Sequence, residues 1–354
     1  MLNINNINMD KNIKEKISYN ILNIITESTY AKLEKLFKKH KSWEKALLNE
    51  ILKQKYNFKY DPEKEYKKLE KNNIKLILFN DPEYPKLLKE IPMPPFGLYV
   101  LGNTEILNKK AITIIGTRKA TSEGKLTAFN FSKKLSEADL IIVSGLALGI
   151  DSAAHLGCLE TNGKTIAVLG SGFFNFYPKI NEKLARKIIN AGGTLISEYN
   201  IYSPSLAYRF LERNRITSGL SLGTLIIEAP KESGTLNTAR YAIEQNRWIW
   251  VTPGPINHPN FYGSHELIKQ GASLVTLPED ILKDLNINYE NKDQKTILSE
   301  EEKIIYNAIK QFEKPIDIDK IIEITNLKTQ TVNKIISILI IKNIVKETNQ
   351  GYII

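Results

Sequence analysis

Three short turns of the chain carry residue types that bind anions. They are Gly116–Lys119, Ser144–Gly149 and Ser233–Thr235. Small residues in such turns let backbone N–H groups converge on an anion, and Arg118, which follows a glycine, can grip a phosphodiester in bidentate fashion. The candidate binding residues in these turns are Gly116, Thr117, Arg118, Lys119, Ser144, Gly145, Leu146, Ala147, Gly149, Ser233, Gly234 and Thr235.

A further candidate cluster comprises Arg213, Asn214 and Arg215, with Arg209 and Phe210 shortly before them. On a helix, Phe210 and Arg213 would share a face because they are three residues apart. An aromatic ring beside guanidinium groups fits a single nucleic-acid strand, with the ring stacked on a base and the charges on the backbone.

Each of these assignments has a structural alternative. Phe210 could instead be a core aromatic residue. Either Arg213 or Arg215 could form a salt bridge with Glu228 or Glu198 instead of contacting phosphate.

Nucleotide-binding loops of enzymes do not match the sequence. A dinucleotide site needs three glycines at fixed spacing, whereas Gly116 is followed by Thr117 and Arg118. A Walker loop has four residues between its first glycine and its Gly-Lys pair, whereas Gly157 and Gly163 enclose five. The spacing therefore predicts neither a dinucleotide nor a nucleoside triphosphate cofactor.

A nucleophile site is the other enzymatic possibility, because Asp151, His155 and Cys158 are spaced to share a helix face. Asp151 at a helix start more simply satisfies unpaired amides and the positive end of the helix dipole. One cysteine and four scattered histidines cannot build a cysteine-rich zinc site. We therefore expect no catalytic residue, metal or cofactor.

The turns must be positioned by alternating strands and helices. A β-branched run at Ala111–Ile115 precedes the first turn and a helical stretch from Gly124 to Glu137, and Leu140–Val143 precedes the second turn. This alternation predicts a Rossmann-like, doubly wound, mostly parallel α/β sheet with its binding loops at the carboxyl ends of the strands.

The order of these segments resembles the DprA/Smf family of bacterial DNA-processing proteins. The segments that carry the resemblance are Gly116–Thr121, Ser144–Asp151 with Ala153–His155, Thr165–Gly170 with Tyr177-Pro178, Phe210–Ile216 with Gly219–Ser221, Ser233–Arg240, Pro253-Gly254 and Leu267–Ala272. Upstream, Asp81–Pro85, Leu87-Leu88 and Pro94-Pro95 also resemble the approach to the family's core. The resemblance implies a homodimer that forms through the core, protects incoming single-stranded DNA during natural transformation and loads the RecA recombinase onto it.

The sequence departs from the family pattern at two places. Leu148 stands where many members have a basic residue, and Tyr208–Glu212 replaces a common Gly-Asn-Phe-Pro-Arg segment. Glu212 would repel phosphate, and Arg209 would partly offset that repulsion. The detailed contacts are therefore open, whereas DNA binding itself remains the expectation.

Charge and composition restrict the possible partners and the location of the protein. The net charge of +10 suits an anionic partner, but most of the surplus lies in the lysine-rich residues 1–71. A lone cysteine fits a reducing compartment, and no apolar run approaches the length of a membrane span. We expect a cytoplasmic protein without a membrane span.

Composition also predicts the domains. Residues 1–71 form a small helical domain, 72–285 the Rossmann-like core, 286–295 a polar linker and 296–354 a winged-helix domain. In the last domain, three predicted helices precede a hairpin, and its charges nearly cancel. Protein contact is therefore as plausible there as duplex recognition.

Two other functions compete with single-strand binding. A nucleotide hydrolase of the Rossmann-like class needs a Pro-Gly-Gly-x-Gly-Thr loop, of which Glu232–Thr235 is a fragment. A DNA-linked regulator would act through its winged helix. The resemblance favours the non-enzymatic single-strand binder over both.

Overall fold

The computed structural model describes residues 10–52, 60–287, 298–312, 314–341, 344–348 and 350–354. Contacts divide the chain into two units, residues 1–288 and 289–354. Most of the predicted linker, residues 288–295, lies outside the described residues. No helix in the described ranges is long and apolar enough to cross a membrane.

A nine-stranded sheet runs through the described part of the larger unit. Its strands are β1 (Ile74–Leu78), β2 (Gly97–Gly102), β3 (Ala111–Ile115), β4 (Ile141–Ser144), β5 (Thr165–Val168), β6 (Thr194–Ser197), β7 (Gly223–Ile226), β8 (Trp248–Val251) and β9 (Ser273–Leu274). Their spatial order is β1-β2-β6-β5-β4-β3-β7-β8-β9. β2 pairs antiparallel with β1 and β6, and all other pairs are parallel. The predicted mostly parallel α/β sheet is confirmed.

The strand order reverses direction at β3. From β3 the chain proceeds outward through β4, β5 and β6, and it then returns to place β7 on the other side of β3. Loops that leave β3 and β7 therefore diverge at their carboxyl ends, which opens a crevice there.

Twelve helices of the larger unit lie in its described ranges. They are α1 (Lys11–Ile25), α2 (Tyr30–His40), α3 (Trp43–Leu52), α4 (Pro62–Lys71), α5 (Lys86–Lys89), α6 (Ser122–Glu137), α7 (Ile150–Glu160), α8 (Glu182–Asn190), α9 (Ala207–Gly219), α10 (Gly234–Glu244), α11 (Tyr262–Lys269) and α12 (Pro278–Asp284).

Helices cover both faces of the sheet, as alternate residues of β5 demonstrate. Ile166 and Val168 belong to a core cluster with Ile216 of α9, whereas Ala167 belongs to a cluster with Ile188 of α8. Successive side chains of a strand point to opposite faces. The central strands are buried on both sides, which explains their nearly continuous apolar sequences.

The N-terminal helices pack against the β1–β2 edge of the sheet. Tyr19 and Trp43 share a core cluster with Leu76 and Tyr99 of these strands. The Tyr99 hydroxyl donates a 3.0 Å hydrogen bond to Asn20 Oδ1. The helices and the sheet therefore share apolar contacts within one unit, and the boundary after residue 71 stays a prediction.

The smaller unit contains three helices and a hairpin in its described ranges. They are α13 (Glu300–Lys310), α14 (Ile318–Thr325), α15 (Thr329–Ile341), β10 (Lys346–Thr348) and the antiparallel β11 (Gly351–Ile353). A capping box begins α13, because Ser299 Oγ accepts from Glu302 N and Glu302 Oε2 accepts from Ser299 N. The assignment of this unit as a winged helix stays a prediction.

Candidate nucleic-acid interface

A crevice of about 600 Å³ lies at the carboxyl ends of the central strands. Its walls come from the turn after β3, the start of α9 and the start of α10, which are distant in sequence. The lining residues are Ile115, Gly116, Thr117, Arg118, Ala147, Asp151, Tyr177, Ser205, Ala207, Phe210, Leu211, Arg213, Asn214, Ser233, Gly234, Thr235 and Thr238.

Arg118 is the exposed cation of this crevice. The guanidinium carbon lies 5.6 Å from the centre of the Phe210 ring, within cation–π range. No carboxylate among the described residues forms a salt bridge with it at the 4.0 Å limit. Its hydrogen-bond donors are therefore available to a ligand, and its contact with phosphate stays a prediction.

The first two turns fit against each other closely. Gly149 has φ +80°, and a Cβ atom there would lie 2.4 Å from Thr117 O and 2.8 Å from Arg118 O. A side chain at this position would push the Arg118 turn away. Glycine is therefore required at Gly149 by both conformation and space.

In the second turn, two of the backbone N–H groups predicted to bind an anion already donate to a side chain of the protein itself. Asp151 Oδ2 accepts from Gly145 N at 3.1 Å and from Ala147 N at 3.3 Å. Burial raises the pKa of Asp151, and the neighbouring Arg213 charge opposes that rise. Asp151, in the first turn of α7, therefore binds amides of the turn that precedes the helix, and these two amides are not available to an external anion.

Arg213 lies beneath the second turn and is buried. Its Nη1 donates to Gly145 O at 2.9 Å and to Val168 O. Burial lowers the pKa of Arg213 to about 10, and the Asp151 charge limits the decrease. Arg213 thus joins α9 to the ends of β4 and β5, and it places a positive charge in the floor of the crevice.

Arg215 and Arg209 face away from the crevice lining. Arg215 makes a bidentate salt bridge with Glu198, with distances of 2.8 and 2.6 Å, and the two side chains are only 5% and 10% exposed. This confirms the structural alternative for one of the two arginines. Arg209 donates to Pro204 O at 2.9 Å and Glu27 O at 2.8 Å. Since their donors are occupied, the geometry gives no support to the predicted DNA contacts of these two arginines.

Phe210 forms a wall of the crevice and is partly buried. Its ring centre lies 5.5 Å from that of Tyr177, at an interplanar angle of 59°. Gly170 also lies close to the ring, because a Cβ atom there would be 2.6 Å from Phe210 Cδ1. The ring is outside the buried apolar clusters of the described chain, so the geometry favours a ligand-facing position over the core alternative.

The third turn places the start of α10 at the crevice. Ser233 is the residue before the helix, and its side chain makes no capping hydrogen bond. Its Oγ atom is buried without a hydrogen-bond partner among the described residues. The first amides of a helix and its positive dipole end attract anions. The backbone N–H groups of Gly234 and Thr235, at the start of α10, are therefore the main-chain groups of the crevice that suit an anion.

The alternative catalytic pair, His155 and Cys158, lies outside the crevice lining. Burial lowers the pKa of His155 to about 3, and its Nδ1 atom lies 2.7 Å from Thr165 Oγ1. Burial raises the pKa of Cys158 to about 12. A neutral, buried imidazole and a protonated thiol fit a packing role.

The structure brings ten predicted residues together and leaves seven outside the lining. Those in the lining are Gly116, Thr117, Arg118, Ala147, Phe210, Arg213, Asn214, Ser233, Gly234 and Thr235. Those outside it are Lys119, Ser144, Gly145, Leu146, Gly149, Arg209 and Arg215. The lining residues that the sequence did not indicate as binding residues are Ile115, Asp151, Tyr177, Ser205, Ala207, Leu211 and Thr238. Among them, Asp151, Tyr177, Leu211 and Thr238 had a signal, since they lie in segments that resemble the DprA/Smf family.

The fold and this crevice define an α/β protein with a polar, aromatic-walled cleft at its strand ends. A family model described as DNA recombination-mediator protein A matches residues 75–286. Protein Smf of Escherichia coli is 43% identical over 217 residues, which are 61% of this chain and 58% of that protein. DNA processing protein DprA of Streptococcus pneumoniae is 40% identical over 199 residues, covering 56% of this chain and 70% of that protein.

Solved structures agree with the family match. The structure of Streptococcus pneumoniae DprA has a TM-score of 0.63 and 31% identity, and the match covers 80% of this chain and 99% of that one. The Helicobacter pylori protein, described by its single-stranded DNA binding mode, has a TM-score of 0.55 and 29% identity over 61% of this chain and 98% of that one. The chain belongs to the DNA recombination-mediator protein A family, the DprA/Smf proteins.

The buried ion pair generates a prediction about stability. Glu198→Gln leaves the Arg215 charge buried without its carboxylate, so we expect the free energy of unfolding to fall by about 3–5 kcal/mol. Urea denaturation measures the change. Glu244→Gln removes the partner of the exposed Arg240, and it should cost at most about 1 kcal/mol. Equal losses in the two variants would contradict a structural role for the buried pair.

Proposed function

We propose that this protein binds single-stranded DNA in the crevice. The observation that carries the proposal is the free guanidinium of Arg118 beside the Phe210 ring, opposite the start of α10. The ring offers a stacking surface to a base, and the cation and the helix amides suit the adjoining phosphates. A base in a duplex is already stacked and paired, so this arrangement favours a single strand.

The comparisons support the choice of ligand. The Helicobacter pylori relative is described as binding single-stranded DNA, and the matched region of this chain contains every crevice residue. The Escherichia coli relative is matched over just under three fifths of its length. The activity of the whole protein is accordingly part of our proposal.

We further propose that the protein is a cytoplasmic, non-enzymatic mediator that protects incoming strands during natural transformation and delivers RecA to them. The support for RecA is the family membership. The support for a non-enzymatic role is local: Asp151 is the carboxylate among the crevice-lining residues, and it is occupied by two backbone amides. A hydrolytic alternative would need an available acid or base at that position.

We also propose that the domain predicted at residues 296–354 is a winged helix. The order of three helices and a hairpin supports this assignment, and an isolated bridge between Ile316 and Tyr352 ties the hairpin to the segment before α14. The third helix presents Gln330, Thr331 and Lys334 with little net charge. Weak nonspecific duplex binding is therefore expected of this unit, because phosphate neutralisation dominates such binding.

Arg118→Ala should weaken single-strand binding and reduce its salt dependence. Loss of one phosphate contact lowers the slope of log K against log salt by about 0.7 for a single strand. Fluorescence anisotropy on an oligothymidine, repeated over a salt series and against a matched duplex, measures both effects. Lys38→Ala, at an exposed lysine of α2, is the control. An unchanged affinity and slope for Arg118→Ala would remove this residue from the site.

Phe210→Ala should cost about 1–3 kcal/mol of binding free energy if a base stacks on the ring. The melting temperature should change little, because the ring lies in the crevice wall rather than in a core cluster. Phe210→Leu keeps apolar volume but lacks the ring face, so it should retain the binding defect. A large fall in melting temperature with normal binding by the leucine variant would support a packing role.

We propose that the homodimer forms through the core at the β9 edge. Ile243, Trp248 and Leu274 are 55%, 46% and 51% exposed there, and clustered exposed apolar side chains of this kind mark a protein contact. Leu274→Glu should shift the protein toward a monomer in sedimentation equilibrium, because it places a charge in the apolar contact. Ile180→Glu, at another exposed isoleucine, should leave the oligomeric state unchanged. An unaffected Leu274→Glu dimer would place the interface elsewhere.

A further inference from the structure

A buried carboxylate lies directly behind the Arg118 turn. Glu228 follows β7 and has no exposed surface. Its Oε2 accepts from Thr121 N at 3.1 Å and from Asn260 Nδ2 at 2.7 Å, and its Oε1 accepts from Thr121 Oγ1. No described lysine or arginine forms a salt bridge with it at the 4.0 Å limit. The neighbours that hold this anion are thus hydrogen-bond donors of the turn and of one asparagine.

Glu228 holds both ends of the segment that carries Arg118. Its main-chain oxygen accepts from Thr117 N at 2.9 Å, while its carboxylate binds Thr121 at the far end. Asn260 adds a third attachment, because the same Nδ2 group that reaches Glu228 also donates to Lys119 O at 3.0 Å. Residues immediately before and after Arg118 are therefore fixed, while the Arg118 side chain stays free.

The space for this carboxylate depends on a glycine. A Cβ atom at Gly124 would lie 2.1 Å from Glu228 Oε1. Gly124 is in the first turn of α6, and its N–H donates to Thr121 Oγ1 at 2.9 Å. A carboxylate at a helix N-terminus is favourable, because it faces the positive end of the dipole.

We propose that Glu228 and Asn260 are positioning residues that hold the Arg118 turn in its DNA-binding geometry, an inference that rests on the proposed function. Long-range electrostatics alone predicts the opposite effect of a Glu228 substitution on DNA binding. Removal of a negative charge near a phosphate site should strengthen binding to a polyanion. Loss of the hydrogen bonds should weaken binding, because Arg118 would have to be ordered when DNA arrives.

The test uses the full chain and Glu228→Gln, which preserves side-chain volume. The amide group of glutamine would face a donor of Thr121 or Asn260, so one attachment is lost. We expect the dissociation constant for an oligothymidine to rise about three- to tenfold, the scale of one hydrogen bond. The salt slope should move toward that of Arg118→Ala. In the double variant, Glu228→Gln should add no further loss, since Glu228 acts through Arg118.

Asn260→Ala provides a second variant at a partly exposed position, and it decides the matter if Glu228→Gln fails to fold. It should weaken binding in the same Arg118-dependent manner, whereas Asn257→Ala in the same loop should bind as the wild type does. Melting temperatures identify unfolded variants. Binding by Glu228→Gln that equals or exceeds the wild type, or losses that multiply with Arg118→Ala, would overturn the positioning role. Absence of single-strand binding by the wild-type chain, or binding indifferent to Arg118, would instead reject the proposed function.

Discussion

Three buried arginines hold α9 in place, and the geometry of the crevice depends on this attachment. Arg209, Arg213 and Arg215 donate respectively to the Pro204 and Glu27 carbonyls, to the ends of β4 and β5, and to Glu198. Each guanidinium is buried, and removing a charged group from water costs free energy unless its hydrogen-bond donors are paired. Because these bonds fix the rotation of α9, its neighbouring face presents Phe210 and Asn214 to the crevice.

Close backbone approaches complete the arrangement. Gly149 lets the second turn touch the first, and Gly145 lies where a Cβ atom would meet both the Arg213 guanidinium and the Asp151 carboxylate. The glycines of these two turns therefore serve internal packing at least as much as ligand access. A glycine-rich turn at a strand end can bind an anion only if its backbone amides have no partner within the protein. Here two of those amides donate hydrogen bonds to Asp151.

The sequence predicted the parts of the molecule that depend on local pattern. Apolar β-branched runs, glycine turns and helical spacing were sufficient to predict the parallel sheet and the edge at which Arg118, Phe210 and Ser233 meet. The side-chain contacts of individual residues could not be predicted in the same way. Arg213, Asn214 and Arg215 are adjacent in sequence, yet helical rotation sends each to a different neighbour. Only the tertiary fold brings Glu198 to Arg215, and only the loop after β5 brings Tyr177 to Phe210.

The internal use of three arginines also constrains how the proposed complex would gain affinity. With Arg118 as the exposed guanidinium of the crevice lining, a single crevice neutralises few phosphates, so stacking on Phe210 carries a larger share of the binding free energy. In a homodimer, two such crevices on one strand would act together, because the second contact becomes intramolecular once the first has formed. Modest affinity per crevice is therefore compatible with tight binding of a long strand. A short oligonucleotide measures the affinity of one crevice, and a longer one that reaches both crevices measures their combined affinity.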